Sequence, residues 1–305
     1  MSTQTENKSE SISQKIVPFL WFDNNAEEAV NFYTSCFKNS KIENKSYYDE
    51  AAAKASGQAK DTLMTASFQL HGQEFIALNG GPVFKFTPAI SFFVNCETEI
   101  ETDELWKKFL KGGKVLMELS EYPFSKRFGW IEDKYGLSWQ LNFTGSPQKI
   151  IPCLMFTGDR VGKAEEAMNY YISLFKNSEM KTLSRYSANG NGKEGTVEFA
   201  LFSLEKEDFI VMDSDADHGF SFTPAVSFFV YCETQKEIDF FWNHLTDEGK
   251  EIECGWLEDK FGISWQIVPT LLFKLLNNPD HERAKRAMQA MLKMKKLDIS
   301  TLERA

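Results

Sequence analysis

A short apolar run, Ile16–Phe22, precedes a segment in which Ala29, Val30, Tyr33 and Phe37 recur at helical spacing. The pattern predicts a strand over 16–22, a helix over 26–37, and strands near 41–48, 62–70 and 74–78. His71-Gly72 marks the tight turn between the last two. Pro18 falls near the strand start, where a missing donor is tolerated. Asn25 is placed to cap the helix, and Glu27 and Glu28 stand in its first turn, where the helix dipole favours anions. The same order restarts at 89–95. Thr98 and Glu101 have the spacing at which two residues satisfy each other's backbone donors, so a helix begins there. Ile100, Leu105, Trp106 and Phe109 give it an apolar stripe, and Gly112-Gly113 ends it. Strands near 115–118, 129–132 and 138–143 follow, with Asp133-Lys-Tyr-Gly136 as a turn.

The whole pattern then returns. Phe86-Thr-Pro-Ala-Ile-Ser-Phe-Phe-Val-Asn-Cys-Glu-Thr98 recurs from Phe222 to Thr234 with two substitutions, and Gly129–Gln140 recurs as Gly255–Gln266 with three. Lys15-Ile-Val-Pro18 is echoed by Lys149-Ile-Ile-Pro152, and Phe37–Ser40 by Phe175–Ser178. The offset drifts between these blocks, which marks a duplicated domain with loop changes and excludes a solenoid of fixed period. The expected organisation is a disordered tail over 1–14, one domain over 15–145, a second over 149–270, and a helical tail over 271–305. Two loops differ between the copies. Ala51–Ala59 stands against Ser187–Gly195, and the first copy has an extra stretch, Leu116–Phe128, absent before Gly255. After Pro279, Asp280 can cap a helix running to about Lys296, with Ala284, Ala287, Met288, Met291 and Leu292 on its apolar face.

Composition narrows the function. Lys and Arg number 34 against 44 Asp and Glu, a net charge of -10, which argues against nucleic acid as partner. The polar first residues are neither signal peptide nor transit sequence, and no apolar run nears the roughly 18 residues that span a bilayer. Five cysteines without CxxC spacing fit a reducing, cytoplasmic setting. Cys96 and Cys232 share one position in the two copies and are expected as small buried residues.

Three tryptophan pairs repeat. Trp106 with Trp242 belongs to a helix core. Trp130 and Trp256 open strands and can stack a flat ligand or fill the core. Trp139 with Trp265 precedes Gln140 and Gln266, amides that can meet a substrate oxygen or a neighbouring strand. Glu132-Asp133 and Glu258-Asp259 enter a turn where Asp bonds the backbone. Glu118 and Asp213 are carboxylates near strand ends, and Asp213 joins the candidate ligand-binding set. Four histidines, His71, His218, His244 and His281, are scattered, so no Ser-His-Asp or Cys-His arrangement can be assembled.

Strand, helix and three strands, repeated twice per domain, together with Phe222-Thr-Pro-Ala-Val-Ser-Phe228, Cys232-Glu-Thr234 and Gly255–Pro269, resemble the vicinal oxygen chelate superfamily. The branch is the PhnB-like one, also called 3-demethylubiquinone-9 3-methyltransferase-like. The tail, Asn278–Met288 and Met294–Ser300, resembles it too. The resemblance implies an α+β fold: tandem glyoxalase-like domains, each of two βαβββ modules whose mixed sheets curl around a cleft, plus a C-terminal helix. Such modules pair into dimers, so the chain is expected to form a homodimer or to internalise that pairing as an intramolecular pseudo-dimer.

In metal-using members the cleft holds a divalent ion on His and Glu side chains and works as a Lewis acid. The position of the ligand Glu is Gln140 here, and Gln266 in the second copy. Neither first strand carries His or Glu, so no metal and no cofactor are expected. The family name suggests methyl transfer, yet no glycine-rich turn of the cofactor-binding kind precedes a helix. The reading is a metal-independent small-molecule binding protein, or an enzyme of unnamed reaction, with Gln140, Gln266, Trp130, Trp256 and Asp213 lining its clefts. A divergent metal-dependent lyase or dioxygenase, a methyltransferase and a non-catalytic interaction protein are the alternatives.

Overall fold

The computed structural model describes residues 14–305. The rest of the expected tail lies outside the described residues. Gln14, counted with that tail, is buried, and its amide joins Ile16 and Glu74.

Four βαβββ modules follow in chain order. The first has β1 (Ile16–Phe22), α1 (Ala26–Cys36), β2 (Lys41–Tyr47), a short α2 (Glu50–Ser56), β3 (Leu63–Leu70) and β4 (Gln73–Asn79). The second has β5 (Ile90–Cys96), α3 (Glu99–Phe109), β6 (Lys114–Tyr122), β7 (Ser125–Glu132) and β8 (Ser138–Phe143). The third has β9 (Lys149–Phe156), α4 (Ala164–Leu174), β10 (Glu179–Arg185), β11 (Val197–Leu204) and β12 (Glu207–Asp213). The fourth has β13 (Val226–Cys232), α5 (Gln235–Leu245), β14 (Lys250–Glu251), β15 (Trp256–Glu258) and β16 (Ser264–Pro269). Three helices end the chain: α6 (Thr270–Leu276), α7 (His281–Met291) and α8 (Ile299–Arg304).

The expected α+β class and the tandem duplication are what the chain forms, but neither sheet belongs to one repeat. Sheet A runs β14-β15-β16-β13-β1-β4-β3-β2, joining the first module to the fourth. Sheet B runs β10-β11-β12-β9-β5-β8-β7-β6, joining the third to the second. The seams are antiparallel pairs of first strands, β1 with β13 and β5 with β9. This crossing between repeats is what an intramolecular pseudo-dimer requires. β1 is apolar along its length because both its faces are covered. Pro18 falls one residue before the β1–β4 ladder begins at Phe19, so its missing donor costs that ladder nothing.

One core on the helix side takes residues from both sheets and from α1, α3, α4 and α5. Two smaller clusters sit on the opposite, concave faces, one on each sheet. Within each repeat the helix-side core closes over a buried carboxylate. Asp133 accepts from the Tyr33 hydroxyl at 2.8 Å, Trp139 Nε1 at 2.9 Å, and the amides of Tyr135 and Leu137. Asp259 accepts from Tyr171, Trp265, Phe261 and Ile263 in the same way. The backbone bonds match the expected turn. The Tyr and Trp donors come from elsewhere in the repeat.

Several local expectations are corrected. Asn25 makes no side-chain cap; Asn79 Oδ1 accepts from Ala26 N instead. Ile100 is 72% exposed, and Thr102 fills the buried place on α3. The stretch 51–59 holds a helix, because Asp49 caps an alanine-rich turn. Asp280 caps as expected, but α7 ends at Met291 rather than Lys296, and Leu292 is half exposed. Thr98 and Thr234 do accept from the amides of Glu101 and Glu237.

Candidate functional site

Alternation along β8 turns Trp139 and Leu141 to the helix-side core, and so turns Ser138, Gln140 and Asn142 to the concave face of sheet B. Register places Gln140 between Phe93 on β5 and Trp130 on β7, and Phe93 opposite Ile151 on β9. Cys153 follows on the same face, beside Ser91 and Ile210. The duplication repeats this geometry in sheet A, where Gln266 lies between Phe229 and Trp256, and Ser227 stands opposite Phe19.

The two concave faces are nevertheless filled differently. In sheet A, Phe19, Phe229 and Trp256 form a cluster joined by Tyr231 and Phe273. Leu272 and Leu275 of α6, Ala287 of α7, Leu297 just before α8 and Leu302 of α8 lie over it. The tail is fastened by its backbone, with Cys254 N donating to Met294 O and Gly255 N to Lys295 O at 2.7 Å. Met291 and Met294 of the tail therefore pack on the sheet. Gln266 and Trp256 lie under this cover, and the Gln266 amide donates to Ser227 Oγ at 3.0 Å.

In sheet B every residue of the concave cluster comes from the sheet's own strands, and among the described residues no helix covers it. Cys153 replaces Phe19, Met155 replaces Trp21, Asn95 replaces Tyr231 and Asn142 replaces Val268. Gln140 Nε2 donates to Ser91 Oγ at 2.8 Å and toward Cys153 Sγ at 3.7 Å. The amide is thereby oriented, and its oxygen takes no hydrogen bond from a described residue. Asn142 Oδ1, two residues on, is buried without a partner. Trp130 Nε1 donates to Ser138 Oγ at 2.8 Å, which fixes the ring as a wall. The extra stretch of the first repeat forms the long β6–β7 hairpin at this rim, where Tyr122, Phe124 and Phe128 cluster. Burial pushes the Cys153 thiol up to about 12, so it stays protonated at neutral pH.

Asp213 is placed elsewhere. Its oxygens accept from the amides of Gly162 at 2.6 Å, Ala164 at 3.3 Å and Val197 at 2.9 Å, so it caps the start of α4 from the helix side. Glu118 is exposed on β6, with no ion pair. Cys153, Asn142 and Ser91 were not singled out by sequence. Comparing the repeats position by position along the outward faces of β1 and β9 would have found Cys153.

A metal ion of the kind the superfamily implies does not fit these residues. Among the described residues no three His, Cys, Asp or Glu side chains are grouped to hold one. The carboxylates on the concave face of sheet B, Glu132 and Asp208, are bound to Lys114 and to Lys149 and Lys181. A separate hollow of about 660 Å³ lies between residues 157–161, Lys193 and residues 215–221, none of which belongs to either concave cluster. Ser214 Oγ and His218 Nε2 stand 2.6 Å apart beside it. No helix among the described residues is long and apolar enough to cross a membrane.

A family model described as 3-demethylubiquinone-9 3-methyltransferase matches residues 14–142 and 148–268. A PhnB protein from Bacillus cereus is 48% identical over 43% of this chain and 100% of its own, with a TM-score of 0.40. A protein from Staphylococcus aureus is 33% identical over 43% of this chain and 96% of its own, with a TM-score of 0.18. Glyoxalase I from Zea mays is 12% identical over 82% of this chain and 92% of its own, with a TM-score of 0.51, a likeness of fold. No curated protein matches the chain.

Proposed function

Because the chain belongs to the PhnB-like 3-demethylubiquinone-9 3-methyltransferase family, we propose that it binds a small organic molecule, without a metal ion, on the concave face of sheet B. The observation that carries this is the contrast between two copies of one surface. One copy is filled by Phe19 and Trp256 and closed by the C-terminal helices; the other keeps Cys153, an amide oxygen on Gln140 and an unpartnered Asn142 Oδ1. A flat apolar ligand with N–H or O–H donors would lie against Trp130 and Phe93 and donate to those two oxygens. Buried acceptors without partners discriminate strongly in favour of such a donor.

Binding rather than turnover is favoured by the chemistry present. Cys153 is held as a thiol, Gln140, Asn142, Ser91 and Ser138 are neutral, and the carboxylates of that face, Glu132 and Asp208, are tied to lysines. Asn189–Gly192 lies between β10 and β11, and Asn79–Gly81 follows β4 and leads on to β5, so neither opens a helix as methyl-donor binding would ask. Five free thiols fit a cytoplasmic setting. Sheet A is a structural copy, with Gln266 and Trp256 serving its packing.

Native mass spectrometry of protein from its own host, followed by a thermal-shift screen of small aromatic fragments, tests the reading. Cys153→Phe installs the residue that the other repeat carries at this place. Cys153 is fully buried, so the larger ring must displace its neighbours; the unfolding midpoint checks the fold, and every fragment response is expected to be lost. Fragments that bind the variant as well as the parent would overturn the site. An added mass of one divalent metal would overturn metal independence.

A further inference from the structure

A second polar site lies on the seam between the repeats, where the turn after β3 meets the start of β9. There a pocket of about 340 Å³ is lined by His71, Gln73, Gln148, Lys149 and Glu207 among others. Gln148 is only 8% exposed, and its Nε2 donates to Glu101 Oε1 at 2.9 Å. Glu101 is fixed in turn, because its other oxygen accepts from Glu97 N at the start of α3. A carboxylate can meet only the NH₂ end of the amide, so Oε1 of Gln148 must point away from Glu101, and it is buried without a partner. His71 Nδ1 is likewise buried without a partner. No hydrogen bond or ion pair joins the Glu207 carboxylate to a described residue, and burial holds its acid form above the usual range.

The duplication sharpens the contrast. Gln14 is the equivalent of Gln148, and it is satisfied at both ends by Ile16 and Glu74. Gln73 is the equivalent of Glu207, so the repeats differ here by one added negative charge. Lys149 does not supply the missing partner. Its ammonium lies 2.6 Å from Asp208, which Lys181 also holds at 2.6 Å.

We propose that this pocket binds a small protonated primary amine, whose N–H donors meet Gln148 Oε1, the Glu207 carboxylate and His71 Nδ1. Gln148, Glu207 and His71 line one pocket and these atoms take no donor from a described residue, and a primary ammonium carries three donors and one positive charge. With its proton on Nε2, His71 accepts at Nδ1.

The test is a titration of the full-length, isotope-labelled chain with butylammonium chloride, followed by NMR. A parallel titration uses tetramethylammonium chloride at equal ionic strength. The expected result is a saturable shift of the Gln148 side-chain amide and the His71 ring with butylammonium alone. Tetramethylammonium has the same charge and no N–H donor, so an equal response to both would reveal attraction to an acidic surface and overturn the proposal. Glu207→Gln should weaken binding about tenfold, the loss expected of one charge-assisted hydrogen bond. This variant recreates the residue the first repeat carries, and an unchanged unfolding midpoint checks its fold. Unaltered affinity in Glu207→Gln, or no saturable shift in the parent chain, would also overturn the proposal.

Discussion

Cys153 stands in sheet B where Phe19 stands in sheet A: each lies opposite a serine, Ser91 or Ser227, that holds the amide of Gln140 or Gln266. The surrounding strands are nearly the same, so the loss of three aromatic rings, at Cys153, Met155 and Asn95, and of the helical cover separates the face of sheet B from that of sheet A. Phe19→Ala should therefore cost about 3–5 kcal/mol, because a buried ring is deleted beneath a fixed cover. Cys153 is as buried as Phe19, but Cys153→Ala removes only a sulfur and should cost about 1 kcal/mol. Urea unfolding of both variants measures the contrast, and equal losses would mean that both faces are packed alike.

The tail should behave as part of the core of sheet A. Leu297 is fully buried, its side chain stands close to where a Cβ on Gly255 would lie, and its carbonyl accepts from Gln235 Nε2 at 3.1 Å. Leu297→Ala is expected to cost about 2–5 kcal/mol. Leu292→Ala, at a half-exposed position beyond α7, should stay within about 0.5 kcal/mol. Thermal unfolding separates them. A silent Leu297→Ala would show the helices only resting on the sheet.

How much of this was legible depends on which interactions are local. The modules were readable because each carries its own period, caps and turns, as Thr98 with Glu101 and Thr234 with Glu237 show. Gln140 and Trp130 could be placed beside one another for the same reason, through a tight turn and strand alternation. The joining of β1 to β13 could not be read, since that pair is separated by about two hundred residues and either repeat could in principle close its own sheet. Asp213 misled because a carboxylate at a strand end looks alike whether it meets a ligand or three backbone amides. Ile100 misled because helical spacing sets a face only to within a residue or so.

Thiol chemistry should report the burial pattern. Cys36, Cys96, Cys153 and Cys232 are buried, and burial raises their thiols to about 11 for Cys36 and about 12 for the other three. Cys254 alone is partly exposed, though burial raises its thiol as well. Reaction with a disulfide reagent at pH 8 should titrate one thiol quickly and all five only in denaturant. Cys254→Ser should remove the fast phase. A persistent fast phase would show that another cysteine, Cys153 included, is open to solvent.

The paired carboxylates of the helix-side core predict a pH dependence that runs against the usual one for acidic groups. Asp259 titrates at about 6 in the folded chain against 3.8 for an ordinary aspartate, because desolvation outweighs the donors from Tyr171, Trp265, Ile263 and Phe261. Below pH 3.8 folded and unfolded forms both hold the proton, and the group's contribution is fully present. Between 3.8 and about 6 only the folded form holds it, so each rise in pH removes stability, and above about 6 the effect is level. The change amounts to about 3 kcal/mol. Asp259→Asn does not titrate here, so the stability of the parent relative to this variant should fall by about 2 kcal/mol, most of that amount, from pH 4 to pH 6.5. Urea midpoints of the two proteins across that range measure it. A relative stability that rises with pH instead would mean the four donors hold the aspartate charged, and that the core is built around a carboxylate rather than an acid.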